Sequence, residues 1–357
     1  MNKVFWIRFF DSRSGDNRKS KTCPELSRRI QNLKWAGFLA ILVLLVGHVG
    51  MAEAQQPKKV PRIGILAAQS PSAFSTQNEA LRKGLAGLGY TEGKNIALEY
   101  RYAEGQLERL PDLAAELVRL KVDLIVAGGL PAARAAKQTT TTIPIVMQGG
   151  DPVATGLVAS LARPGGNVTG LSDATVGVST KRLELLKEVV PKVSRVAMLW
   201  NPANPTNPIQ VKDTQDVAPA LGMTVYSVEV KGVDDFDRAF AAIKRDRAGA
   251  LLVPGDPMFA THRQRILDFA VKSRLPSMGA TPAHAEDGGL MAYGTNFADL
   301  YRRIAIYVDK ILKGAKAADL PIEQPMKLEL IINLKAAKQI GLTIPPNVLA
   351  RADKVIK

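Results

Sequence analysis

Cysteine is all but missing from this chain: Cys23 is the only one in 357 residues. That count excludes a disulfide framework and a cysteine-built metal centre. Histidine is nearly as scarce, and the three present, His48, His262 and His284, lack metal-ligand spacing. No Gly-x-Ser-x-Gly nucleophile elbow occurs. Gly84, Gly87 and Gly89 fall within and after a helix-like run rather than after a strand, which suits packing or a helix C-cap better than a phosphate loop. Asp151 and Asp256 would be the candidates for an acid/base pair, but no nucleophile or cofactor signature accompanies them. The expectation is a protein that is not an enzyme and needs no cofactor and no metal. Aromatic residues make up only 6% of the chain, and no basic cluster is interleaved with them. A formal charge of +15 therefore reads as a solvated basic surface rather than a nucleic-acid interface.

Long apolar runs are also absent, with one exception near the start. Residues 1–34 hold nine Lys/Arg and three acidic residues, and Trp35–Met51 is an apolar run with an uncharged core at Ala36–Val46. Ala52-Glu53-Ala54 follows, small residues flanking a larger one, in the order of a secretory signal with its cleavage site. The run falls short of the ~20 residues that span a bilayer, so cleavage after Ala54 is expected over a permanent anchor. Residues 1–54 read as a signal peptide and the mature protein as periplasmic. Cleavage would remove nine basic and four acidic residues, lowering the charge to about +10, and would remove Cys23.

From Arg62 onward short strands alternate with helices. Arg62–Ala67, Ile96–Tyr102, Leu124–Ala127 and Ile145–Met147 read as strands, and Leu110, Leu113, Ala114 and Leu117 share one helical face. The stretch Ile145–Ser172 organises the rest: a strand, a polar turn, a helix-like piece at Val153–Ala162, the sharp Arg163-Pro164-Gly165-Gly166-Asn167 break, and a β-rich run at Val168–Ser172. Asn167–Ser172 reads as the strand that leaves one lobe and enters the next. The alternation then restarts, with strands at Arg195–Leu199, Thr224–Val230, Ala250–Val253, Pro276–Gly279, Leu290–Gly294 and Leu328–Asn333. This pattern implies parallel sheets covered on both faces. The expected division is lobe 1 at 60–167 plus 294–357 and lobe 2 at 168–293.

In open α/β sheets, ligands bind beyond the carboxyl ends of the strands. Those ends carry Ser70, Gly129, Asp151, Asn201, Asp256 and Tyr293, with Ser172 on the crossover. Helices that start past such turns aim backbone N–H groups at the crevice and suit a carboxylate, whereas an acid there suits an ammonium. A zwitterion such as an amino acid satisfies both. Asp151 is expected to hold the ligand's amino group, with Asp256 contributing from the other lobe.

The segments Gly84-Leu85-x-x-Leu88-Gly89-Tyr90-x-Glu92-Gly93-x-Asn95-Ile96, Asp151-Pro152-Val153, Arg163-Pro164-Gly165-Gly166-Asn167-Val168-Thr169-Gly170-Leu171-Ser172 and Ile311-Leu312-x-Gly314 resemble the ABC-transporter substrate-binding proteins of the tryptophan/tyrosine type. The resemblance covers nearly all of Val60–Lys357. It implies the periplasmic binding-protein fold, an α/β arrangement of two Rossmann-like lobes with parallel sheets joined by crossover strands, that binds amino acids or related small molecules between the lobes. By position it points to the Gly129-Leu130-Pro131 turn, Asp151, Ser172, the turn holding Asn201 and Asn204, Asp256 and Tyr293 as cleft-lining. Leu130 stands where relatives often carry Thr or Ser. The implied partners are a small-molecule ligand and an ABC permease in the membrane, with no nucleic acid and a monomeric chain. The alternative is a ligand-sensing module of a membrane receptor, which shares the fold.

Overall fold

The structure, a computed structural model, describes residues 59–173, 178–324 and 328–357. The expected signal peptide lies outside these residues. Among them no helix is long and apolar enough to cross a membrane.

The chain from Val60 builds two sheets. The first contains β1 (Arg62–Ala67), β2 (Ala97–Tyr102), β3 (Leu124–Gly128), β4 (Ile145–Gln148) and β5 (Val168–Leu171), all parallel, in the order β2-β1-β3-β4-β5. The second contains β6 (Arg195–Trp200), β7 (Thr224–Glu229), β8 (Ala250–Val253), β9 (Ser277–Gly279), β10 (Met291–Thr295), β11 (Leu328–Asn333) and β12 (Lys354–Ile356). Its order is β12-β11-β10-β9-β8-β6-β7, so β7-β6-β8-β9-β10 repeats the path of the first sheet. β11 is added antiparallel to β10, and β12 lies parallel to β11. Buried strands with uninterrupted apolar runs, such as Leu124–Gly128 and Ala250–Val253, are what a sheet covered on both faces requires.

Each sheet is covered on both sides. The helices Leu110–Arg119 and Leu130–Thr139 close one face of the first sheet, burying Leu110, Ala114, Leu117 and Ala133. Helices Ser75–Gly87 and Phe297–Leu312 close the other, around Phe74, Leu81, Leu85, Tyr301 and Ile304. These two helices meet closely at Gly84, where an added Cβ would lie 2.8 Å from Ala305 Cβ and 2.9 Å from Arg302 O. That contact gives the glycine a packing role, in line with the sequence reading. In the second sheet, Leu183, Leu186 and Val211 pack on one face and Phe236, Phe259 and Ile266 on the other.

Three expectations are corrected. Val168–Leu171 does not pass between lobes; it is the edge strand of the first sheet, paired with Ile145–Gln148. The Thr169-Gly170 step fits that role alone, since Gly170 has φ +135° and an added Cβ would lie 2.1 Å from Met147 O. Second, residues 328–356 do not return to the first lobe. The helix Phe297–Leu312 and the chain after it as far as Glu323 do so, and β11 then pairs with β10 in the second sheet. The chain thus changes sheets after Leu171, returns near Asn296, and changes again between Glu323 and Leu328. The third passage runs beside the first: Ser172 N donates to Glu323 O (2.9 Å), and Glu323 N to Gly170 O (3.1 Å). Third, Val153–Ala162 forms turns rather than a helix. Leu157 and Val158 are buried as they would be on a helix face, but Leu157 N and Val158 N both bond back to Pro152 O (2.8 and 3.0 Å).

Candidate ligand-binding site

The repeated strand order fixes where a site can form. In the first sheet the chain reverses direction of build between β1 and β3, and in the second between β6 and β8. Crevices open beyond the carboxyl ends of strands at such points. The two crevices face each other, and a cavity of about 60 Å³ lies between them. From the first half it is lined by Gln69, Gly129, Leu130, Pro131, Gln148, Gly149, Gly150 and Asp173. The second half supplies Asn204, Thr206, Gly255, Asp256, Pro257, Ala260 and Thr281, and Phe297 stands at the return passage. A wider groove of about 740 Å³ continues outward from it, sharing Gln69, Ala260, Thr281 and Phe297.

Asp173 and Asp256 are the ionisable groups that line the inner cavity, one from each half, and no Lys or Arg joins them among the described residues. Asp173 is buried, and its carboxylate accepts from Gln148 Nε2 (3.0 Å) and from Gly150 N (2.9 Å). Gln148 is in turn 3.5 Å from the hydroxyl of Tyr301, whose ring stands edge-on to Phe74 at 5.3 Å. This row of contacts fixes the acid against the first sheet. Asp256 is buried too and caps the short helix Pro257–Thr261, accepting from Met258 N (2.8 Å) and Phe259 N (3.4 Å). Its second oxygen accepts from Asn204 Nδ2 (2.9 Å). Burial pushes its pKa up, and the hydrogen bond from Asn204 chiefly opposes that shift.

Helix Leu130–Thr139 begins at the cavity wall, and no side chain caps its N-terminus. Gly129 precedes it with φ +101°, and Pro131 occupies the first turn, where a missing N–H costs nothing. Such an end favours an anion. The cavity therefore offers positive potential from one helix end and acceptor oxygens from two carboxyl groups.

The halves touch around it. Ser70 N donates to Thr261 Oγ1 of the second half at 3.1 Å. Gly150 has φ +52°, and an added Cβ there would stand 2.9 Å from Thr206 Oγ1. The two crevices are closed on each other to within side-chain contact.

Of the residues expected from sequence, Gly129, Leu130, Pro131, Asn204 and Asp256 come together at the cavity. The others do not line it. Asp151 accepts from Val153 N and Ala154 N (both 2.9 Å), so its carboxylate caps its own turn. Ser172 Oγ donates to Gly150 O at 2.6 Å, and Asn201 Oδ1 accepts from Ala203 N at 3.0 Å; both hold turns behind the site. Ser70 takes part through its backbone in the contact with Thr261. Tyr293 packs against the core of the second half, and its carbonyl accepts from Arg182 Nε at 2.7 Å.

Gln69, Gln148, Asp173, Thr206, Thr281 and Phe297 were not anticipated. Gln69 and Asp173 are each one position from an expected residue, Ser70 and Ser172. Thr281-Pro282 repeats the Asp256-Pro257 pattern of a cap followed by proline at the first helical position, a signal present in the sequence.

The family described as "ABC transporter substrate binding protein" matches residues 62–356. A tyrosine-binding protein of Clostridioides difficile (strain R20291) is 29% identical over 288 residues, covering 80% of this chain and 82% of that protein. An ABC domain from Streptococcus pneumonia, solved in complex with L-Trp, is 28% identical and superposes with a TM-score of 0.77, over 83% of this chain and 99% of that one. A ligand-free, open substrate binding protein with adhesive properties from Clostridium difficile, also 28% identical, covers 84% of this chain and 100% of its own, at a TM-score of only 0.59. At equal identity the chain superposes better on the L-Trp complex than on the ligand-free, open structure. The chain belongs to the ABC transporter substrate-binding protein family.

Proposed function

We propose that this chain is an exported, periplasmic solute-binding protein that takes an amino acid between its two lobes and delivers it to an ABC permease for import. The observation that carries the reading is the pairing, in one cavity between the sheets, of an uncapped helix N-terminus with the buried carboxylate of Asp173. A zwitterion presents complementary charges to both. Its carboxylate lies at the start of helix Leu130–Thr139, and its ammonium faces Asp173 and, from the other half, Asp256. The ligand touches both halves only when they meet, so binding favours the closed form. The inner cavity is smaller than the 300–1,000 Å³ range of pockets that hold small molecules, so loading requires the lobes to part. The relatives that bind tyrosine and L-Trp support an aromatic amino acid as the first candidate.

A thermal-shift screen of the purified protein against the twenty amino acids and simple carboxylates tests the reading. A concentration-dependent rise with at least one amino acid is expected. Stabilisation by carboxylates without an amine, and by no amino acid, would overturn it. Genes for a permease and an ATPase beside this one would favour transport over a receptor-borne sensor.

A further inference from the structure

Gln69 follows β1 and stands where the inner cavity opens into the outer groove. The residue is 8% exposed, and Oε1 is buried without a hydrogen-bond partner. A buried acceptor left unpaired is costly, and one that lines a binding cavity is satisfied at little expense by a ligand that donates to it. The backbone around it is fixed: Gln69 O accepts from Glu104 N (3.3 Å), and the next residue bonds to Thr261 of the other half. The backbone that carries this side chain is therefore held at the opening.

The same opening is completed by Ala260, Thr281 and Phe297. Inside it lies space for a compact head group; outside it the groove is more than ten times larger by the volumes given above. We propose that Gln69 Oε1 is a specificity contact that accepts a hydrogen bond from the ligand's ammonium, and that the ligand lies across this opening with its side chain in the outer groove. An ammonium has three donors, so contacts to Asp173 and Gln69 are compatible. The ligand class is thus an α-amino acid with a large side chain, and a compact one such as glycine leaves the groove empty. This inference rests on the amino-acid reading above.

Calorimetry with L-tryptophan and glycine on the purified protein and two variants tests it. Gln69→Leu removes the acceptor and is expected to weaken L-tryptophan binding roughly tenfold. Gln69→Glu keeps an acceptor in place and is expected to bind L-tryptophan at least as tightly as the parent. In the parent, glycine should bind at least tenfold more weakly than L-tryptophan. The inference is overturned if Gln69→Leu stays within twofold of the parent, if Gln69→Glu loses affinity, or if glycine matches L-tryptophan. Should Gln69→Leu fail to fold, the Gln69→Glu and glycine arms still decide. If some other amino acid binds and L-tryptophan does not, the inference fails while the amino-acid reading stands. If no amino acid binds, both fail.

Discussion

Replacement of Asp256 separates structural support from ligand contact, because most of its hydrogen bonds are internal. Asp256→Ala removes the cap from Met258 N and Phe259 N and leaves the buried Nδ2 of Asn204 without its acceptor. A lost cap costs about 1 kcal/mol, and a buried donor left unpaired about 1–3 kcal/mol. The sum is a destabilisation of about 2–4 kcal/mol, read from the urea midpoint at constant slope. Asp256→Asn keeps an acceptor for the helix end and should cost less. The pH dependence adds a second signature. Burial raises the pKa of Asp256 above its ordinary 3.8, so the native state holds this proton more tightly than the unfolded state. Its contribution is therefore neutral below pH 3.8, becomes increasingly unfavourable as pH rises from there toward the raised pKa, and is fully unfavourable above it. Measured from pH 4 to pH 7, the asparagine variant should gain stability relative to the parent. Parallel profiles for the two proteins, or a loss below about 1 kcal/mol for Asp256→Ala, would refute the assignment of a buried, internally bonded carboxylate.

Two further substitutions address closure and the excluded acid. Thr261→Val removes the bond from Ser70 N across the lobes, worth about 0.5–1.5 kcal/mol, so affinity should fall between about 2- and 13-fold. The radius of gyration of the unliganded protein, from small-angle scattering, should rise with it, and an unchanged radius and affinity would show that this contact does not hold the lobes together. Asp151→Asn should leave calorimetric affinity within about twofold and lower stability by no more than about 1 kcal/mol, because the side chain caps only its own turn. A tenfold loss of affinity would return Asp151 to the site.

How much of this was readable beforehand depends on the range of the signal. Strands buried on both faces announce themselves as short apolar runs between turns, and Arg62–Ala67 and Leu328–Asn333 fall at the predicted residues. The rule that sites lie beyond strand ends finds Gly129 and Asp256 for the same local reason, while Leu130, Pro131 and Asn204 follow from the family resemblance. It fails by one residue at Gln69 and Asp173. Both lie just past a strand end, where neighbouring side chains point different ways, so a shift of one position exchanges a cavity residue for its neighbour. Asp151 is a carboxylate after a strand, but the two N–H groups that follow Pro152 claim it first. Phe297 and the placement of β11 and β12 were hidden for a different reason. The helix Phe297–Leu312 leaves the second half and packs on the first, and β11 comes back to pair antiparallel with β10. Pairings formed after such an excursion leave no local periodicity to read.

The central claim is that a buried acid on the first lobe anchors the ammonium of an amino acid within the closed cleft. The most direct measurement is calorimetric titration of the parent and Asp173→Asn with the amino acid that stabilises the protein most. Asparagine keeps an acceptor toward Gly150 N while removing the charge, but its Nδ2 then faces the donor Gln148 Nε2, so the melting temperature is measured beside the affinity to separate that lost bond from the lost charge. A charge-assisted hydrogen bond is worth roughly 1.5–3 kcal/mol, and its loss should weaken binding by about 10- to 150-fold. An affinity within about twofold of the parent, in a variant that melts at the parent's temperature, would contradict the account.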